Sequence, residues 1–317
     1  MMDGSGSASA ILIFNCCLFY DFRYKIHFTM KYILMIAWLF TGTVLLAQTG
    51  SEILLFDLKV KKDKVTISNP KNVTNHKGYD NQPSFHTDQP ILYYSSFNDD
   101  GRADIKSFNY KTGGTIAITQ TSEREYSPTL TPDKSSLSCI IQRDNGAQDL
   151  GKYPLDGGEP SVIIDNMTVG YHVWADNSHL ALFILGEPHT LHYLRLPTKE
   201  DTVLAQNIGR SLHKIHGERA VSFIQKTSGT DWQIKKLEPQ TMKISTVAAT
   251  LSGREDIAWT ADGKIISSDG TKIYFLNPAK GKAWIEISIQ SGSELLKGVT
   301  RLAVNAKGDK LAVVISE

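Results

Sequence analysis

Residues 127–163, SPTLTPDKSSLSCIIQRDNGAQDLGKYPLDGGEPSVI, contain one complete unit of the pattern that decides the fold. Two short apolar segments flank the turn TPDKS (131–135), and DNG (144–146) marks a second turn before two further segments. Asp, Asn, Gly and Pro favour such turns because they tolerate unusual dihedral angles or fix φ. The unit therefore predicts four short antiparallel strands joined by tight turns.

The same unit recurs at even intervals. Its first strand carries a triplet that ends in a large apolar residue, and successive triplets lie 45, 44, 41, 44 and 45 residues apart. The large apolar members, including Trp174 and Trp259, are expected to pack between neighbouring units. The six triplets are Pro83-Ser84-Phe85, Pro128-Thr129-Leu130, His172-Val173-Trp174, His213-Lys214-Ile215, Ile257-Ala258-Trp259 and Leu302-Ala303-Val304.

Four strands repeated every 40 to 45 residues are typical of β-propeller blades. The sequence predicts an all-β, six-bladed propeller occupying residues 51–317 as a single domain. Because the sixth unit supplies only two strands, the segments 52–60 and 64–74 are expected to complete it, giving a closing blade of two N-terminal and two C-terminal strands. The predicted units are 79–122, 123–167, 168–207, 208–251, 252–296, and 297–317 with 51–75.

The N-terminal region has the order of a secretory signal. Lys31 precedes an apolar run from Ile33 to Ala47, and small and polar residues follow. We interpret 30–50 as a Sec signal peptide that starts at Met30, and 1–29 as a non-native upstream extension. The protein is then expected to be periplasmic or secreted, without stable membrane insertion after cleavage. The alternative is that residues 1–47 remain as an uncleaved anchor.

Charge and cysteine content limit the classes of partner. The chain has 34 Lys and Arg against 33 Asp and Glu, so no net field attracts nucleic acid. Cys139 is the only cysteine beyond the predicted signal, which excludes an intramolecular disulfide in the mature chain. We expect a monomer without nucleic-acid partners.

The repeat also resembles a known family. The segments SPTLTPDKSSLSCI (127–140) and DNGAQDLGKYPLDGGEPSVI (144–163) are similar to the WD-like repeat of TolB-like six-bladed propellers. The resemblance implies the same architecture and a periplasmic binding scaffold, a peptidase propeller domain or an uncharacterised exported protein. We expect no peptidase, because no G-x-S-x-G motif or hydrolase domain follows. TolB itself carries an additional N-terminal domain, for which we expect no room here.

The loops that lead into the first strands predict a ligand site. In a propeller these loops gather at one end of the central channel, so polar and aromatic groups from different blades would converge there. Arg301 enters the last blade in the same way. The predicted ligand-binding residues are Tyr79, Asp80, Glu125, Tyr126, Tyr171, His172, Arg210, His213, Arg254 and Asp256.

His172 and His213 occupy equivalent positions in adjacent units. One interpretation is a shared metal or general-base site at the channel mouth. The favoured interpretation is that both pack between blades, each bonded to a backbone carbonyl, because no tight ligand spacing such as H-x-H is present. We therefore predict no metal, cofactor or catalytic residue, with this pair as the weak metal candidates.

Three functional hypotheses follow. The first is a noncatalytic exported propeller that binds an envelope protein or small-molecule ligand at its channel mouth. The second is a metal-assisted propeller enzyme of the lactonase or polysaccharide lyase type, which would use His172 and His213. The third is a structural assembly subunit. The absence of a complete catalytic motif in the sequence favours the first.

Overall fold

The computed structural model describes residues 50–281 and 283–317. These residues form six β-sheets and a short 3-10 turn at Ser293–Leu295. Within the described ranges, no helix has the length and apolar character needed to cross a membrane. The predicted segments 1–29 and 30–50 lie outside the described residues, except for Gly50. The predicted all-β, six-bladed class is confirmed.

Five sheets are blades of four consecutive strands, with the first strand at the channel and the fourth at the rim. Blade 1 comprises β3 (Asp80–Phe85), β4 (Ile91–Phe97), β5 (Ala103–Asn109) and β6 (Thr115–Ala117). Blade 2 comprises β7 (Arg124–Leu130), β8 (Ser136–Gln142), β9 (Gln148–Pro154) and β10 (Ser161–Ile164). Blade 3 comprises β11 (Val169–Trp174), β12 (His179–Ile184), β13 (Thr190–Arg195) and β14 (Glu200–Gln206).

Blades 4 and 5 complete the consecutive series, and their first strands are short. Blade 4 comprises β15 (His213–Lys214), β16 (Val221–Ser228), β17 (Asp231–Glu238) and β18 (Lys243–Ala249). Blade 5 comprises β19 (Ile257–Trp259), β20 (Ile265–Ser268), β21 (Ile273–Leu276) and β22 (Ile285–Glu286).

Blade 6 joins the two ends of the propeller. Its strands are β1 (Ser51–Lys61), β2 (Lys64–Asn72), β23 (Ser288–Ile289), β24 (Arg301–Val304) and β25 (Lys310–Ser316), in the spatial order β23-β2-β1-β25-β24. β1 pairs antiparallel with β25, from Ser51 opposite Ser316 to Asp57 opposite Lys310. The predicted closing blade is confirmed. β23 adds a parallel strand to its rim that the sequence did not predict, because two residues carry no periodicity.

The core lies between the faces of neighbouring blades. Trp174 packs with Ile140 and Leu150 of blade 2, whereas the adjacent Val173 packs with Phe223 of blade 4. Side chains alternate between the two faces of a strand, so neighbouring positions in β11 face opposite blades. This alternation explains why both Val173 and Trp174 are apolar in the third triplet.

Two tryptophans also link blades through hydrogen bonds. Trp174 Nε1 donates to Ser138 Oγ of blade 2 at 2.9 Å, and Trp259 Nε1 donates to Ser222 Oγ of blade 4 at 2.8 Å. Each indole therefore buries its ring and satisfies its N–H group at the same interface. These bonds position the first strands of blades 3 and 5 around the channel.

Candidate functional site

The entry segments of the six first strands surround one end of the channel, which opens into a cavity of about 710 Å³. We call this end the channel mouth. Every blade contributes a polar side chain to the cavity lining. In blade order, these include Gln82, Ser127, Tyr171, Arg210, Asp256 and Arg301.

Four of these side chains form a continuous network, which we call the mouth network: Tyr171, Arg210, Asp256 and Arg301. The Asp256 carboxylate accepts hydrogen bonds from Arg301 Nη1 at 2.7 Å and from Arg210 Nη2 at 2.9 Å. Arg301 Nη2 donates to the Tyr171 hydroxyl at 2.8 Å. The network links blades 3, 4, 5 and 6.

The bond between Arg301 and Tyr171 crosses the channel. Tyr171 belongs to blade 3 and Arg301 to blade 6, and these blades face each other in a ring of six. The Arg301 guanidinium also lies 5.5 Å from the centroid of the Tyr171 ring. A ligand that enters the cavity from this end must therefore displace or contact this pair.

A second carboxylate, that of Glu255, contacts the backbone of Arg210. Glu255 accepts a hydrogen bond from the Arg210 backbone N–H at 3.1 Å, and Lys226 Nζ lies 3.2 Å from the same carboxylate. Gly209 permits this approach, because a Cβ atom there would lie only 2.5 Å from Glu255 Oε2. The local sequence Gly-Arg thus places a guanidinium at the mouth and a carboxylate against its backbone.

Two further tyrosines lie beside the network. The rings of Tyr79 and Tyr126 pack edge to face, with their centroids 6.3 Å apart. Burial raises the pKa of the Tyr79 hydroxyl, and the proximity of Tyr171 raises this pKa further while Arg301 opposes the rise. The predicted residues Tyr79, Tyr126, Tyr171, Arg210 and Asp256 thus lie at or beside one opening, together with Arg301.

His172 is buried and His213 is half-buried, and each imidazole contacts a serine. His172 Nε2 lies 2.7 Å from Ser138 Oγ, and His213 Nε2 lies 2.8 Å from Ser211 Oγ. The expected backbone carbonyl partners are thus replaced by side-chain hydroxyls. Burial lowers the pKa of His172 to about 3 and that of His213 to about 4, so both imidazoles are neutral at neutral pH.

The histidine pair does not form part of a larger ligand set in the described structure. Among residues 50–281 and 283–317, no group of three or more His, Cys, Asp or Glu side chains is arranged to hold a metal ion. His172 and His213 both line the cavity, but their Nε2 atoms are engaged with serines. The donor set therefore does not fit a structural or catalytic zinc-type site, which uses three or four protein ligands.

Five of the ten predicted site residues are not part of the cavity lining: Tyr79 and Tyr126, which lie beside the network, and Asp80, Glu125 and Arg254. Asp80 is buried at the start of β3, with His76 Nδ1 3.4 Å from its carboxylate, and burial raises its pKa. Glu125 is fully buried between blades 1 and 2, because alternation along β7 turns it away from the channel. The Arg254 guanidinium lies over Gly270, at the turn between β20 and β21.

Three buried polar atoms in the described residues have no hydrogen-bond partner: Ser127 Oγ, His172 Nδ1 and Arg210 Nε. All three residues line the same cavity. Leaving a buried donor or acceptor unpaired costs about 1–3 kcal/mol. Because all three unpaired atoms lie around one cavity, the residues of this cavity lower the stability of the folded protein.

Lys214 and Ser127 also line the cavity but were not among the predicted site residues. Lys214 is the middle residue of the fourth triplet, where the other units carry Ser, Thr, Val or Ala. A long charged side chain at this position was the available signal. Ser127 offered no such signal, because serine is common in the turns that flank strands.

The cross-channel bond leads to a stability prediction. Tyr171→Phe should lower the free energy of unfolding by about 1 kcal/mol, because the Arg301 donor loses its hydroxyl acceptor while the ring packing stays. Urea denaturation followed by circular dichroism measures the change. Tyr110→Phe is the matched control, since among the described residues its hydroxyl makes no hydrogen bond. Equal losses in both variants would show that the cross-channel bond does not stabilise the fold.

The geometry defines a class of protein: a six-bladed propeller in which a network of bonded polar side chains spans the channel mouth. No protein-family model matches the sequence, and no curated protein matches it. Solved structures do match. A protein assigned as TolB from Agrobacterium tumefaciens aligns with a TM-score of 0.65 at 13% identity, covering 85% of this chain and 99% of that one. The chain is therefore a TolB-like propeller in its fold.

Other matching structures cover a broad range of proteins. TolB from Acinetobacter baumannii aligns with a TM-score of 0.53 at 13% identity, over 84% of this chain and 64% of that one. A chain of a nidogen/laminin complex gives 0.59 at 10% identity, over 80% and 98%. An oligogalacturonate lyase in complex with manganese gives 0.55 at 14% identity, over 78% and 80%. At these identities the likeness concerns the fold alone.

Proposed function

We propose that the protein is a noncatalytic binding propeller that recognises an envelope protein or small envelope molecule at its channel mouth. The observation that carries this proposal is the mouth network above the cavity of about 710 Å³. Concave sites with a few converging polar groups on a rigid scaffold are the usual form of a binding site. Here four blades hold those groups in place.

The contacts within the network favour recognition over bond-breaking chemistry. The Asp256 carboxylate accepts hydrogen bonds from two guanidinium groups and is therefore already engaged within the protein. His172 and His213 are neutral but bonded to serines. Tyr171 and Arg301 offer an aromatic face and a charged donor, the residue types enriched where partners bind tightly.

Export and the monomeric state belong to the same proposal. The predicted signal segment 30–50 and the TolB-like fold both support a periplasmic or secreted protein. Fractionation of cells that express the full chain, followed by N-terminal sequencing of the mature protein, tests export. Light scattering tests the oligomeric state, since an assembly subunit would give stable oligomers and a binding monomer would not.

The binding proposal predicts a mutation-sensitive partner. Immobilised protein should retain a component of envelope extract, identified by mass spectrometry, that Tyr171→Ala and Arg210→Ala lose by about tenfold. Arg195→Ala is the matched control, because Arg195 is exposed on β13 away from the cavity. Circular dichroism confirms that each variant is folded. If nothing is retained by the wild type and lost by the two mouth variants, the proposal fails.

A metal-assisted enzyme is the second candidate. Among metal-assisted enzymes, the fold likeness to an oligogalacturonate lyase in complex with manganese favours a test of lyase activity. Purified protein incubated with Mn²⁺ and oligouronates would show turnover that His172→Ala abolishes if this candidate holds. The binding proposal predicts no turnover, since His172 and His213 contact serines and lie in no larger ligand group of the described chain.

A further inference from the structure

The cavity behind the channel mouth has an excess of basic side chains. Six charged residues line it, four basic and two acidic: Arg210, Lys214, Arg219, Arg301, Glu218 and Asp256. An excess of one sign in a concave site raises the local concentration of ions of the opposite sign. The lining therefore favours an anionic occupant.

Neither acidic residue is free to neutralise the remaining basic groups, because both already have basic partners. Asp256 is bonded to both arginines of the mouth network. Glu218 pairs at 3.1 Å with Lys236, which lies outside the cavity lining. Lys214 and Arg219 are exposed at the cavity edge, and among the described residues they form no ion pair. Two cationic groups in the cavity thus remain without a counter-charge within the described part of the chain.

The unpaired buried atoms favour the same chemistry. Arg210 Nε is a donor, and it lies 3.5 Å from Glu255 without forming a hydrogen bond. Ser127 Oγ is a second unpaired group that can donate. Carboxylate oxygens accept several hydrogen bonds each and bind guanidinium groups in charge-assisted pairs. Both atoms are buried, so a ligand carboxylate reaches them only when it displaces the side chains that cover them.

The cross-channel bond between Arg301 and Tyr171 is the contact that an entering ligand would replace. Arg301 donates one N–H group to a neutral phenol, and a carboxylate is a stronger acceptor than a phenol for the same donor. A ligand carboxylate can thus replace Tyr171 on Arg301 without disturbing Asp256. The other end of an elongated ligand would then reach into the cavity toward Lys214.

Resting on the proposed channel-mouth function, we propose that the cavity binds a small dicarboxylate, with one carboxylate on Arg301 and the other near Lys214. The volume of about 710 Å³ lies within the usual range of small-molecule sites, about 300–1,000 Å³. Cationic side chains on two different blades, Arg301 of blade 6 and Lys214 of blade 4, favour two carboxylates over one.

The test is a calorimetric titration at low ionic strength with linear dicarboxylates from succinate to suberate. The matched neutral diamides serve as ligand controls. We expect dicarboxylates to bind, diamides to give no heat, and one chain length to bind best. Lys214→Gln should weaken binding by about tenfold, the effect of losing a charged hydrogen-bond donor. Lys243→Gln is the matched control, because Lys243 is exposed on the outer strand of the same blade.

Each other outcome overturns the proposal. Equal affinity of the wild type and Lys214→Gln places binding outside the cavity. Equal affinity for diamides removes the role of charge. If no dicarboxylate binds but a partner from envelope extract is still lost in Tyr171→Ala, the ligand class is wrong and the channel-mouth function stands. If both experiments are negative, both proposals fail.

Discussion

A chain that ends at Asp309, and so lacks β25, is expected to lose its cooperative unfolding transition altogether. β25 lies in the middle of blade 6 and pairs with both β1 and β24. Its residues Leu311, Val313 and Val314 are completely buried. Burying each such side chain contributes about 1.5–3 kcal/mol, and the total stability of a domain is about 5–15 kcal/mol. The truncation also exposes Phe56 of β1.

Thermal melting followed by circular dichroism, with a dye that binds exposed apolar surface, measures this effect. The control is a circular permutant that keeps every residue from 50 to 317. It joins Glu317 to Gly50, whose backbone groups are 3.1 Å apart, and opens the exposed turn at 99–100. The permutant should melt cooperatively. A wild-type transition in the truncated chain would contradict a stabilising role for blade 6.

Glu125→Ala is expected to lower the free energy of unfolding by about 3 kcal/mol, because buried hydroxyl groups lose their acceptor. The carboxylate accepts hydrogen bonds from Tyr153 at 2.9 Å, from Thr119 at 3.1 Å and from Thr121. Alanine leaves the Tyr153 and Thr121 hydroxyls without this acceptor between blades 1 and 2. Chemical denaturation measures the loss. Glu123→Ala is the control, since its partly exposed pair with Arg143 should contribute less than about 1 kcal/mol.

Glu125 also gives a pH dependence with a definite sign. Burial raises its pKa above the ordinary value of 4.5, and the nearby Asp104 carboxylate adds to the rise. The folded state therefore binds this proton more tightly than the unfolded state. The corresponding stability is complete below pH 4.5 and is lost as the pH rises through the raised pKa.

Glu125→Gln should remove this pH dependence, because the amide carries no charge at any pH tested. The difference in unfolding free energy between Glu125→Gln and the wild type should shift in favour of the variant between pH 4 and pH 7. Denaturation curves across that range measure the shift. Parallel curves for the two proteins would exclude a raised pKa at Glu125.

The architecture was predictable because turns and apolar triplets repeat once per blade. Each triplet packs between blades in the same way, so the spacing is constant although the first residue varies from Pro83 to Leu302. The closing blade followed from counting strands. β23 was not predictable, since its pairing depends on where the chain passes after blade 5 rather than on its two residues.

The sequence predicted which loops reach the channel mouth, but it did not predict which of their side chains face the cavity. Tyr171, Arg210 and Asp256 contribute to the cavity, whereas Glu125 lies between blades. A bulge in the pairing of β7 with β8, between Tyr126 and Thr129, changes the register in this region. A shift of one residue reverses the face of a strand, and sequence spacing does not reveal it.

The pairing of β1 with β25 has a consequence for the order of assembly. Asp57 and Lys310, which pair across this interface, lie 253 positions apart in the sequence. Closing so long a loop costs about 3.5 kcal/mol more than closing a five-residue hairpin. During synthesis at about 5–20 residues per second, β1 is made roughly 13 to 50 s before its partner.

β1 must therefore avoid wrong partners for most of the time in which the chain is being made. A charge that interrupts an apolar run disfavours pairing with other apolar strands. Asp57 occupies that position between Phe56 and Leu58. Its carboxylate thus disfavours early association of β1 with other strands. Once Lys310 has been synthesised, the same carboxylate pairs with it and favours the correct pairing of β1 with β25.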